Sequence, residues 1–226
     1  MKIDSLLWYF QYYLVAVAVD TDNLQGKIVF GYQGWFQTNL CAQGWRHWAG
    51  DTQPNADSVT FDLWPAIDEF PVESLSDDTD LHDKTTGETL KLYDAAKVTD
   101  VHFGWMQSYG IHGVALQRFL TDDLTRMDEV MMAVKASAEK YQRAFFIEYD
   151  ISGVNPDTWV DDLLSDWQHV NDMGVVVSPM YQKNEGKPVV KVYNSHLHLS
   201  PNSNPNPKLR FMEWGLLLSG ALQINV

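Results

Sequence analysis

Residues 111–151 read IHGVALQRFLTDDLTRMDEVMMAVKASAEKYQRAFFIEYDI, and this stretch decides the fold. Its two ends, IHGVALQRF (111–119) and RAFFIEYDI (143–151), are apolar runs with aromatic and β-branched residues and no proline, the pattern of buried strands. Between them Met127, Val130, Met131, Val134 and Ala138 recur at steps of three and four, which predicts a helix over 124–141. Those methionines read as core, not as a binding groove. A strand, a helix and a second strand in this order are one parallel βαβ unit.

Working outward, the same alternation continues. GKIVFGYQGW (26–35) is expected as the first strand and SVTFDLW (58–64), stopped by Pro65, as the second. An acidic, threonine-rich stretch at 73–88 reads as an exposed loop or small hairpin. Residues 98–109 place Val98, Val101, His102, Trp105 and Met106 on one helical face, ended by Gly110. Asn155, Pro156 and Asp157 open a further helix with Trp159, Leu163, Leu164 and Trp167 on its apolar side. GKPVVKVY (186–193) is the fifth strand, with Pro188 tolerated near its start. Beyond it SPNSNPNP (200–207) cannot form a regular element, and 211–226 shows neither caps nor alternation.

The expected fold class is therefore α/β, a (β/α)8 TIM-barrel type that is incomplete, with about five βα units. Its length of 226 residues also falls a little below the ~250 of a typical barrel. The expected organisation is an export signal at 1–18, a partial barrel domain at 19–194 and an irregular tail at 195–226. The signal rests on Lys2, the apolar run from Leu6 to Val15 and the small-residue pattern Ala16-Val17-Ala18. Asp4 and Gln11 fit it poorly, and the competing reading is a buried first element. The signal implies a secreted or exported protein, and the run is shorter than the ~20 residues that span a bilayer.

Composition narrows the partners. Thirty acidic residues against sixteen basic ones leave a formal charge of −14, which repels phosphate backbones and anionic membranes. The single cysteine, Cys41, rules out an intrachain disulfide and a multi-cysteine metal site. Nine tryptophans and ten tyrosines offer flat apolar faces with one hydrogen-bonding group each, which suits either a saccharide ring or a tryptophan-rich core. Dinucleotide, P-loop, HExxH and GxSxG patterns do not occur, so no cofactor and no serine nucleophile are expected. His196-x-His198 lacks acidic or cysteine neighbours, so no metal is expected there either.

Seven motifs in order carry a resemblance: GYQGWF (31–36), WRHW (45–48), VTFDLWP (59–65), HFGWMQSYG (102–110), GVALQRF (113–119), YDISG (149–153) and GKPVV (186–190). Over residues 24–190 the chain resembles the glycoside hydrolases of the xylosidase/arabinosidase type, which are related to the endo-α-1,2-mannosidases. The resemblance implies a (β/α)8 barrel that hydrolyses O-glycosidic bonds in a saccharide cleft at the C-terminal strand ends. It also implies two carboxylates near the last strand, followed by a Gly-Thr stretch. That motif is absent here, and the neighbours of Glu213 do not match it. This chain also has His112 where the family usually has Asp, and Glu148 where it usually has an apolar residue. The expectation is thus a glycosidase by ancestry; the rival is an inactive saccharide-binding fragment or truncated gene product.

Glycosidic cleavage needs two carboxylates, roughly 5–5.5 Å apart for retention or about 6.5–9.5 Å for inversion. Glu148 and Asp150, two apart on one strand, share a face at roughly 6–7 Å and are the candidate catalytic pair. Each has a structural alternative: Asp150 bonding loop amides, Glu148 pairing with Arg118 or Arg143. Candidate saccharide contacts are Tyr32, Gln33 and Trp35 at the end of strand one and Asp62 and Trp64 at the end of strand two. Gln117 and Arg118 offer forked donors at the end of strand three; alternatively, Gln33 and Gln117 satisfy barrel-mouth backbone groups. Trp45, His47 and Trp48 form either a stacking wall or a structural clamp on their loop. His102 reads as a satisfied helix-face histidine.

Overall fold

The computed structural model describes residues 17–193 and 222–223. In chain order its elements are β1 (Val29–Tyr32), β2 (Leu75–Ser76), β3 (Leu92–Tyr93) and α1 (Ala95–Ser108). Then follow β4 (Gly113–Phe119), α2 (Leu124–Tyr141), β5 (Ala144–Asp150), α3 (Trp159–Asp172), β6 (Lys183–Asn184), β7 (Lys187–Tyr193) and β8 (Leu222–Gln223). The main sheet has the order β1-β4-β5-β7-β6, with β8 on β7. β1, β4, β5 and β7 are parallel, each beside its predecessor. Doubly wound sheets reverse their strand order at a switch point, whereas barrels keep neighbours in sequence. This sheet is α/β with barrel-like sequential order, and among the described residues it does not close.

Among the described residues four parallel strands are present where five were expected. The missing one is 58–64. Its Thr60 amide reaches only the Trp48 carbonyl, and Val59 closes a turn on Asn55. Val59 and Phe61, whose alternation suggested a strand, instead pack on a second small core of Trp45, Trp48, Leu81 and Leu92. Alternation reports one buried side, and a loop lying on its own aromatic cluster satisfies it without a ladder. The acidic stretch forms a tight turn: the Asp83 carboxylate accepts from the Thr85 and Thr86 amides at 2.8 and 2.7 Å. His82 and Thr89 bridge antiparallel around it.

The helices follow the sequence closely. Asp94 caps α1 by accepting from Ala96 N at 3.1 Å, and Asp123 caps α2 by accepting from Thr125 N at 2.8 Å. α2 covers the residues expected, and its five periodic apolar side chains are all buried. Asn155, Pro156 and Asp157 form a turn ahead of α3, whose N-cap is Thr158. Leu164, expected on the apolar side, is exposed, whereas Trp159, Leu163 and Trp167 are buried as read.

All three helices lie on one face of the sheet. Val114, Leu116, Phe145 and Ile147 meet Val130, Met131, Val134 and Leu163 there in the main core. Burying each such side chain stabilises by about 1.5–3 kcal/mol relative to exposure. Gly113 is needed at the start of β4 because a Cβ there would stand 1.9 Å from the Ala144 carbonyl oxygen.

Candidate functional site

Register determines which side chains share the other face, which carries no helix among the described residues. Gln117, Glu148 and Lys191 are cross-strand partners on β4, β5 and β7; Phe119, Asp150 and Tyr193 form the next rung toward the C-terminal strand ends. Partners in a parallel sheet point to one side, so two rungs of polar and aromatic groups stand together. Glu148 accepts from Lys191 Nζ through both carboxylate oxygens, each at 3.0 Å. Asp150 accepts from Gln117 Nε2 at 2.7 Å and from the Ser152 amide at 2.8 Å. Both carboxylates are buried, while Gln117 and Lys191 are half-buried and Tyr193 is 44% exposed.

An aromatic wall adjoins these rungs. The Trp35 ring stacks on Phe119 at 5.4 Å and 12°, and the His47 ring lies 4.5 Å from Trp35, tilted by 31°. Trp35 reaches this place because Gly34 turns the chain at φ +59°, in the left-handed region. A Cβ on Gly34 would also lie 2.5 Å from Val130 Cγ1. His47 itself holds φ +62°, an uncommon conformation for a side-chain-bearing residue. Burial, assisted by the neighbouring Arg46 charge, lowers the His47 imidazole below its ordinary value.

The remaining expected residues fall elsewhere. Arg118, expected beside Gln117 at the strand end, faces the helices instead. Its guanidinium grips Asp166 of α3 at 2.6 and 2.7 Å and Asp128 of α2 at 2.9 Å. Alternation puts adjacent strand residues on opposite faces, so Gln117 and Arg118 could not both point to the cleft. Burial opposes the Arg118 charge, but Asp166 and Asp128 more than offset this and raise it above its ordinary value. Glu148 accordingly pairs with Lys191, not with Arg118 or Arg143.

Tyr32 also turns to the helices: its hydroxyl is bonded to His102 Nδ1 at 2.9 Å, and its ring packs near Phe103. Burial pushes His102 down to about 4. Trp45 and Trp48 are buried in the second core, with Trp48 Nε1 donating to the Tyr93 carbonyl at 3.0 Å. They clamp the loop, and only His47 of that motif joins the wall. Gln33 is exposed just beyond β1, and Asp62 and Trp64 lie on the exposed part of the long excursion, where the Trp64 ring meets Phe61 at 5.6 Å.

Phe119, Lys191 and Tyr193 were not singled out in the sequence. Their signal was the parity of GKPVVKVY and GVALQRF: a lysine inside a strand otherwise read as buried needs a carboxylate partner, and Glu148 sits on the matching rung. His196, His198 and Glu213, the residues at 1–16 and most of the tail lie outside the described residues.

No family model matches the chain, and no curated protein matches it. Among solved structures, the chain is similar to the GH99 endo-alpha-mannosidase from Bacteroides thetaiotaomicron at 16% identity and a TM-score of 0.44. That similarity covers 76% of this chain and 45% of the mannosidase chain. A second structure of that mannosidase, in complex with BIS-TRIS-propane, is similar at 13% identity and a TM-score of 0.41, covering 74% and 41%. The chain spans less than half the length of either.

Proposed function

We propose that the sheet face opposite the helices is a saccharide-binding cleft of a glycoside-hydrolase-like protein. One observation carries this reading: the Glu148–Lys191 pair lies within one rung and the Gln117–Asp150 bond joins that rung to the next, beside the Trp35–Phe119 stack at the C-terminal strand ends. A sugar presents an apolar C–H face and a rim of hydroxyls. An aromatic wall meets the first, and paired donors and acceptors meet the second. Parallel α/β sheets bind ligands at these strand ends because loops converge there without strand-edge obstruction.

In the hydrolytic reading, Asp150 and Glu148 are the two carboxylates across an O-glycosidic bond, and the xylosidase/arabinosidase-type resemblance of the sequence supports it. The bonds each one makes favour a second reading, sugar binding without turnover. Glu148 is one half of an ion pair on both its oxygens, and Asp150 is engaged by an amide side chain and a backbone N–H. A general acid needs a proton to donate and a clear path to the leaving oxygen.

The test is turnover of aryl glycosides and α-linked oligosaccharides by the purified chain, with Asp150→Asn and Glu148→Gln beside it, and saccharide binding by titration calorimetry. Hydrolysis abolished by either substitution supports the hydrolase. Binding without hydrolysis, weakened by Trp35→Ala, supports the second reading. Neither binding nor hydrolysis across that panel overturns both.

A further inference from the structure

Behind Trp35, away from the polar rungs, lies a small pocket that no role above uses. It is lined by Gly34, Trp35, Gln37, Arg46 and Arg126 and floored by Met127 and Val130. Six of the nine buried side-chain polar atoms without a partner among the described residues belong to residues that line it: Trp35 Nε1, Gln37 Nε2 and Oε1, Arg46 Nε, and Arg126 Nε and Nη1. Gln37 is 1% exposed and neither end of its amide is bonded. Folded proteins pair buried polar groups almost without exception, and a concentration of orphans marks a strain reservoir or a missing partner.

The character of the missing partner follows from the atoms. Five are nitrogens that donate, and one is an oxygen that accepts. Water would balance donors with acceptors, and a cation would need the reverse ratio. Charge points the same way. Arg46 is neutralised by Asp122 at 2.8 Å and by Asp51 at 3.6 Å. The Arg126 guanidinium bonds only the Gln43 carbonyl, at 3.0 Å, and makes no ion pair among the described residues, although Asp123 lies close enough to feel its charge. A guanidinium without an ion-pair partner, beside an indole N–H and a carboxamide, is a receptor for an oxyanion.

We infer that this pocket binds a small oxyanion group, a carboxylate or a sulfate or phosphate, through Arg126, Gln37 and Trp35. As the side chains stand, the space does not admit a sphere the size of water. Entry therefore takes an outward swing of Arg126, whose guanidinium is bonded only to the Gln43 carbonyl. Trp35 couples the pocket to the aromatic wall, since the ring that stacks on Phe119 carries the N–H that faces the anion. The oxyanion is either free or borne by an acidic saccharide whose ring lies on that wall.

The test is tryptophan fluorescence titration of the whole chain with sulfate, phosphate and glucuronate at constant ionic strength, with glucose as the neutral control. Arg126→Met and Gln37→Leu accompany the wild type, and Trp35→Phe identifies the reporting ring. Saturable binding is expected, weakened at least about tenfold by either substitution, since hydrogen bonds to a charged partner are among the stronger ones. The two variants should also unfold at higher temperature than the anion-free wild type, because they remove orphaned buried polar atoms. A purely structural role would lower it. Glucuronate binding more tightly than both inorganic anions places the anion on a saccharide; the opposite order makes it a free ion. No saturation by any of the three, or equal affinity in the variants, overturns the inference. Neutral oligosaccharide binding is read separately, so the saccharide cleft and the anion pocket can fail independently.

Discussion

Replacing Arg118 by methionine tests whether the guanidinium belongs to the scaffold or to the cleft. Its side chain is 2% exposed and holds Asp166, itself 5% exposed, by two bonds of 2.6 and 2.7 Å, and Asp128 by one of 2.9 Å. Tyr149 adds a third bond to Asp166 at 2.8 Å. Methionine fills much of the volume but leaves Asp166 buried without its cation. Losing one partner of a buried pair costs about 3–5 kcal/mol, most of it the penalty of the stranded charge. For a slope of about 2–3 kcal/mol per molar urea, the unfolding midpoint should fall by roughly 1–2 M. Removing both charges with Arg118→Met and Asp166→Leu together should recover part of that loss, and the double-mutant cycle gives the coupling. Saccharide affinity should be unchanged wherever the variant is folded. A variant within about 1 kcal/mol of wild type that has lost saccharide binding would refute the assignment of Arg118 to the helix side.

Other expectations follow from single residues. His102 titrates near 4 in the folded chain against an ordinary 6.5, so the unfolded chain takes up the proton first as pH falls. Its contribution to stability is full above about 6.5 and is lost between there and about 4. It amounts to about 2 kcal/mol after allowance for partial exposure, and His102→Phe should flatten that part of a pH-dependent melting series. Gly34→Ala meets both a left-handed backbone and Val130, and should lower stability by about 2–3 kcal/mol in chemical denaturation. Adding Val130→Ala should relieve the clash but not the backbone strain. Lys191→Met leaves the Glu148 carboxylate buried without its cation and should lower stability by about 1–3 kcal/mol in chemical denaturation.

The parallel core was legible because burial on both faces leaves long apolar runs, as in 113–119 and 144–150, and because α2 repeats its apolar positions without interruption. The failed second strand shows the limit: Val59 and Phe61 alternate correctly, yet the surface they bury is a private aromatic cluster, not a neighbouring strand. Asp150 and Glu148 could be placed on one face by parity alone. Their partners could not, because Lys191 meets Glu148 through a register set by pairing across forty residues of intervening chain. Arg118 was misread for the converse reason: its neighbour Gln117 and it were treated as one forked group although the pleat sends them apart.

The chain leaves the sheet after β1 and returns at α1, and the amide of Ala95 closes on the carbonyl of Phe36 at 2.9 Å. Everything between those two residues is an appendage with a common doorstep and its own aromatic nucleus. Closure entropy grows only logarithmically with the length of such a detour. Changing its length therefore costs the staves little, while altering what can approach their upper ends.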